Sequence, residues 1–162
     1  MAHDIHDFTV TTIDGEAKSL ADYHGKVVLI VNTASRCGFT RQYRSLEALY
    51  QQHRERGFEV LAFPANNFMR QEPGTNAAIK EFCSLEFRTT FPLFAKISVK
   101  GKDIAPLYAF LTRDSSHPGD VSWNFAKFLV APDGRVVARF DPATDPLDPE
   151  ITGSIEQWLP KR

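Results

Sequence analysis

The clearest hydrophobic pattern in the chain is Val27-Val-Leu-Ile-Val-Asn32, a continuous β-branched run with no polar alternation. Such a run predicts a strand buried on both faces, as at the centre of a parallel sheet. A helical pattern follows, with Phe39, Tyr43, Leu46, Tyr50 and His53 at three- and four-residue steps and Gly57 as a C-cap. Phe58-Glu-Val-Leu-Ala-Phe63 then reads as a second strand. Strand, helix and strand with short joints make a βαβ unit whose crossover should be right-handed.

Ahead of this unit, Phe8-Thr-Val-Thr-Thr and the Asp14-Gly15 turn suggest a short hairpin. Beyond it, Pro73-Gly74 breaks the chain, and Thr75 or Asn76 can cap a helix whose inner face carries Ile79, Phe82 and Cys83. Thr90–Ile97 reads as a strand entered through a proline, and Ile104, Leu107, Phe110 and Leu111 mark a short helix. Phe128-Leu-Val and Arg135–Phe140 flank Pro132-Asp-Gly134, which predicts an antiparallel pair. The last helix has Asp148 as N-cap, Pro149 at its first position and a stripe of Ile151, Ile155, Trp158 and Leu159. This order predicts a thioredoxin-like α/β fold, a central mixed sheet with helices on both faces. No linker or repeat divides the chain, so residues 1–162 read as a single domain.

Composition narrows the function classes. The chain has 162 residues, 19 Lys+Arg and 20 Asp+Glu, for a net charge of −1. That balance gives no support for nucleic acid as a partner, because counterion release needs clustered cations. The longest apolar run is far short of the roughly 18 residues of a membrane span, and the N-terminus has acids where a signal peptide has a basic segment. The expected compartment is therefore the cytoplasm. Two cysteines, 46 residues apart, and five histidines without ligand spacing imply neither a disulfide framework nor a metal site, and no cofactor is expected.

Cys37 lies at the carboxyl end of the predicted buried strand, just before the predicted helix, where α/β sites form and open helix N–H groups stabilise a negative sulfur. Taken alone it is equally well a small buried residue at a strand end. Gln71, Trp123 and Asn124 likewise have plain readings as a solvated loop residue, a core aromatic and a turn residue.

Three blocks change this balance. Asn32–Tyr43, Phe63–Gly74 and Trp123-Asn-Phe-Ala-Lys-Phe-Leu-Val130 resemble, in order, the signature blocks of the glutathione peroxidase family, and the similarity runs from Asp7 to the final helix. The resemblance implies a thioredoxin-like peroxidase acting on hydrogen peroxide and organic or lipid hydroperoxides. Cys37 matches the peroxide-attacking residue, and Gln71, Trp123 and Asn124 match the polar partners that complete its tetrad. Cys83 aligns with the resolving cysteine of members that use thioredoxin rather than glutathione, although a cysteine beside Ile79 and Phe82 also suits a plain core. The short segment between Gly101 and Trp123 resembles the monomeric, thioredoxin-dependent group. Four departures stand out: Ala65 where several members carry cysteine, Asn67 for glutamine, Met69-Arg70 where glycines are common, and Arg41 where proline is frequent. A redox relay that passes oxidation to a partner protein would use the same sulfur chemistry.

Overall fold

The computed structural model describes residues 2–160. A small antiparallel hairpin, β1 (Thr9–Thr11) and β2 (Ala17–Ser19), precedes the main sheet. The main sheet has four strands in the order β4-β3-β5-β6: β3 (Val27–Thr33), β4 (Phe58–Pro64), β5 (Lys127–Val130) and β6 (Val136–Phe140). β3 runs parallel to β4 and antiparallel to β5, so the sheet is mixed. The chain enters β5 at the end where β3 and β4 finish, since Val31 pairs with Lys127 and Thr33 with Pro64.

Every residue of β3 is buried, and alternation divides its side chains between two cores. Val28 and Ile30 pack with Phe128, Val130, Ile5, Leu107 and Tyr108 on one face. Val27, Leu29 and Val31 pack on the other with Leu129 and three helices: α1 (Gln42–His53) through Tyr43, Leu46 and Leu49, α2 (Asn76–Phe82) through Ile79, and α4 (Pro149–Trp158) through Ile151 and Ile155. α3 (Pro106–Ala109) covers the first face and runs on into a π-helical turn at Phe110–Asp114. Helices on both faces of a mixed sheet are the expected thioredoxin-like arrangement. Asp148 caps α4 by accepting from Glu150 N–H, with Pro149 at the first turn, as its sequence predicts.

Two expectations need correction. The stretch from Thr90 to Ile97 forms only isolated bridges, Ala62 with Leu93 and Thr12 with Phe94. Pro92 has no N–H to donate, and only its carbonyl is used, accepting from Ala62 N–H at 3.2 Å. The second concerns α1, which begins at Gln42 rather than Phe39. The Thr40 hydroxyl donates to the Ala34 carbonyl at 2.8 Å and accepts the Cys37 N–H at 2.9 Å, and these bonds hold Cys37–Thr40 in a turn.

Candidate active site

Three loops meet at the end of the sheet where β3 and β4 finish and β5 begins. The first follows β3 and carries Cys37, the second follows β4 and carries Gln71, and the third precedes β5 and carries Trp123 and Asn124. In an α/β sheet this is where a site is expected.

Backbone hydrogen bonds stitch the loops together. Arg36 N–H donates to the Gln71 carbonyl at 3.0 Å, which places the residue before Cys37 against the second loop. Ala65 N–H donates to the Thr33 carbonyl at 3.0 Å and ties the start of that loop to the end of β3. Asn32, the polar end of the otherwise apolar strand run, bridges to the third loop twice. Its carbonyl accepts Phe125 N–H at 2.6 Å, and its side-chain amide donates to the Trp123 carbonyl at 3.1 Å. Buried Lys127 fixes the far side of this loop by donating to the carbonyls of Phe125 at 2.7 Å and Pro142 at 3.1 Å. Burial pulls the Lys127 ammonium down to about 8. These contacts hold Phe125 at φ 67°, a left-handed conformation costly for an aromatic residue. The bend turns Asn124 inward.

Among the predicted site residues, Gln71 and Asn124 are directly joined. The fully buried Asn124 donates its amide N–H to Gln71 Oε1 at 2.9 Å. Because that carbonyl oxygen is engaged, the amide N–H donors of Gln71 remain for another acceptor. Trp123 is half-buried, with its ring 5.6 Å from that of Phe68 on the second loop. Cys37 is a half-buried free thiol, and its sulfur accepts Phe39 N–H at 3.3 Å. Since α1 starts only at Gln42, this turn N–H replaces the helix terminus as the donor the sequence predicts.

Met69 and Arg70 adopt φ 54° and 51°. Glycine takes this conformation without penalty, and side chains there strain the backbone. Both residues are exposed, Met69 at 77%, so this chain adds an apolar and a cationic side chain to the rim.

Cys83 sits on a different segment from Cys37. It follows α2 and opens a π-helical turn, Cys83–Phe87, that ends with Arg88 at φ 52°. The thiol is fully buried in the core behind α1, against Tyr43. Burial pushes it up to about 11, with the nearby Tyr43 and Thr89 hydroxyls working the other way. The two cysteines are unbonded, and Cys83 is held as an unreactive thiol.

Sequence reasoning missed Asn32, Lys127 and the buried Glu72. The signal for the first two was visible: each is a polar residue at the end of an apolar strand, facing the site loops. Among the described residues, no group of three or more His, Cys, Asp or Glu side chains could hold a metal ion, and no helix is long and apolar enough to cross a membrane.

Comparison with known proteins agrees with this architecture. Residues 5–112 match the family model described as glutathione peroxidase. The chain belongs to the glutathione peroxidase family. It is 47% identical over 147 residues to the glutathione peroxidase of Lactococcus lactis, covering 90% of this chain and 94% of that one. A protein of Synechocystis named hydroperoxy fatty acid reductase is 47% identical over 165 residues, covering 96% of this chain and 95% of that one. Among solved structures, the apo crystal structure of Trgpx superposes with a TM-score of 0.77 at 38% identity, covering 99% of this chain and 100% of that one. As a glutathione peroxidase family member the protein is a peroxidase.

Proposed function

We propose that the protein is a thiol peroxidase in which the Cys37 thiolate attacks the hydroperoxide, Cys83 resolves the resulting sulfenic acid, and thioredoxin reduces the disulfide. The observation that carries this reading is the half-buried Cys37 on a loop stitched by Arg36 N–H to Gln71, whose side chain in turn accepts from Asn124.

In the first step sulfur attacks the terminal peroxide oxygen, the O–O bond breaks, and an alcohol or water leaves. Negative charge moves onto the departing oxygen. Gln71 and Asn124 amide N–H groups and the Trp123 indole N–H are donors suited to meet it, and their loops are braced before the peroxide arrives. Gln71→Ala, Asn124→Ala and Trp123→Phe should each lower the second-order rate of sulfenic acid formation by about tenfold to a thousandfold. Stopped-flow oxidation under single-turnover conditions measures this, and unchanged rates in all three variants would remove them from the mechanism.

The substrate class is hydrogen peroxide and organic hydroperoxides, including those of fatty acids. The name of the Synechocystis relative and the exposed Met69 at the site rim support the organic peroxides. The second cysteine favours a protein dithiol over glutathione as reductant, because an internal disulfide is the natural target of thiol–disulfide exchange. The cycle calls for one chain and a reducing cytoplasm. Steady-state peroxide consumption with thioredoxin and its reductase, against glutathione and its reductase, tests the assignment. Turnover should be sustained with thioredoxin and minor with glutathione. The reverse order would overturn the reductant and leave the peroxidase chemistry in place.

A further inference from the structure

Next to Gln71 lies Glu72, a carboxylate with 1% exposure whose Oε2 has no hydrogen-bond partner among the described residues. Its backbone is anchored by Asn66 Oδ1, which accepts Glu72 N–H at 3.0 Å. The side chain lines a cavity of about 200 Å³ between two functional segments. One wall is Ser35 and Arg36, from the loop of Cys37, and the opposite wall is Ile79 and Phe82, from the helix that leads into Cys83. Burying a carboxylate with one oxygen unpartnered is costly, which singles this group out from the other loop acids.

We propose that Glu72 is the proton shuttle of disulfide formation, taking the proton from the Cys83 thiol and delivering one to the hydroxide that leaves Cys37. This rests on the assignment of Cys83 as resolving cysteine and adds the group that lets it react.

The chemistry requires such a group. Cys37 Sγ–OH and Cys83 Sγ–H become a disulfide and water: the S–O bond breaks, the S–S bond forms, the Cys83 sulfur is oxidised and the Cys37 sulfur is reduced. One proton leaves Cys83 and one joins the departing hydroxide, so a single carboxyl group can accept the first and supply the second without any outside reagent. A thiol pushed up to about 11 in the closed form is scarcely ionised at neutral pH, and a base beside it can take its proton as the segment begins to open. Glu72 is close enough for its charge to raise both Cys83 and Tyr43. Burial in turn raises Glu72 above the ordinary carboxylate range, which narrows the mismatch with a thiol. The groups that act on Glu72 from the surrounding elements are the neighbouring Ser35 and the cations of Lys96 and Arg36, all of which favour its charged form. Lys96 Nζ is itself held by the Glu72 carbonyl at 3.2 Å, so its charge stays near the cavity.

Glu72 accepts a proton only as carboxylate, so disulfide formation should slow as pH falls through its raised value, while the peroxide step does not share that limb. The test is rapid-quench analysis of the Cys37–Cys83 disulfide after one equivalent of hydrogen peroxide, from pH 5 to 8, in wild type, Glu72→Gln and Glu72→Asp. Gln is isosteric and removes a buried charge, so that variant should fold. Glu72→Gln should form the disulfide at least tenfold more slowly and lose the plateau above the acid limb, its rate then climbing with pH as the Cys83 thiolate does, and Glu72→Asp should regain part of both. A wild-type rate and pH profile in Glu72→Gln would overturn the proposal, as would an equal slowing of Cys37 oxidation, which would place Glu72 in the peroxide step. If wild type itself forms no Cys37–Cys83 disulfide, the resolving assignment fails and this inference with it. Should the Gln variant not fold, a wild-type rate without an acid limb overturns the proposal by itself.

Discussion

Replacing Cys37 by serine should reduce peroxide turnover by about a thousandfold or more, because a hydroxyl is a far weaker nucleophile than a thiolate and has no two-electron oxidation ladder to climb. The loss should be chemical rather than structural. Cys37 is half-buried at a loop, packed only against the margin of one core, and its sulfur accepts only Phe39 N–H at 3.3 Å. A serine oxygen can accept the same bond. The turn also survives by its own bonds, Thr40 N–H to the Cys37 carbonyl at 3.0 Å and Cys37 N–H to Thr40 Oγ1 at 2.9 Å. Cys37→Ser should therefore unfold in urea with an unchanged midpoint while neither thioredoxin nor glutathione drives peroxide loss. Appreciable turnover in a folded Cys37→Ser protein would mean that another group attacks the peroxide, and the site assignment would be wrong.

The parts of the fold legible in the sequence were those written in short-range physics. The apolar run at Val27–Val31 could only be a doubly covered strand, and Asp148-Pro149 could hardly be other than a helix start. Where a side chain competed with the backbone, the reading slipped. Phe39 sits four residues before Tyr43 and fits the helical period, yet the Thr40 hydroxyl captures backbone partners and delays α1 to Gln42. Thr90–Ile97 has strand composition, but Pro92 and the lack of a full-length neighbour leave it with two bridges. The π-helical turn at Cys83 has no sequence signal, because widening one turn depends on how Phe82, Phe87 and Phe91 pack around Tyr43. For the site, resemblance supplied residues and the structure supplied the reason two of them meet. Gln71 and Asn124 are 53 residues apart in sequence and share one hydrogen bond because β3 places their loops at a common end. Glu72 looks like any solvated loop acid until its burial is seen.

Cys83→Ser should separate the two halves of the proposed cycle. A disulfide needs its Cα atoms within about 7 Å and its Cβ vectors turned toward each other, and in this reduced form Cys83 is enclosed behind α1 with Tyr43 and Thr89 while Cys37 lies on its own half-buried loop. We expect the sulfurs to meet by a rebuilding of the segment from about Thr75 to Arg88. Its ends suit that change: Pro73-Gly74 leads into a helix of only two turns, Asn76–Phe82, and the π-helical turn after it closes on the strained Arg88. Such an opening belongs to the low end of sub-global unfolding. The serine variant should still consume one equivalent of peroxide at close to the normal rate, because Cys37 and its donors are untouched. It should then stall as a sulfenic acid, with thioredoxin-driven turnover falling by about a hundredfold, since exchange needs a disulfide to attack. A sulfenic-acid trap followed by mass spectrometry would mark Cys37 in the stalled protein. In wild type, hydrogen exchange across Thr75–Arg88 should rise on oxidation, and a peptide map should contain a Cys37–Cys83 link. Undiminished thioredoxin turnover in Cys83→Ser, or a map of peroxide-treated wild type without that link, would return Cys83 to the role of a core residue.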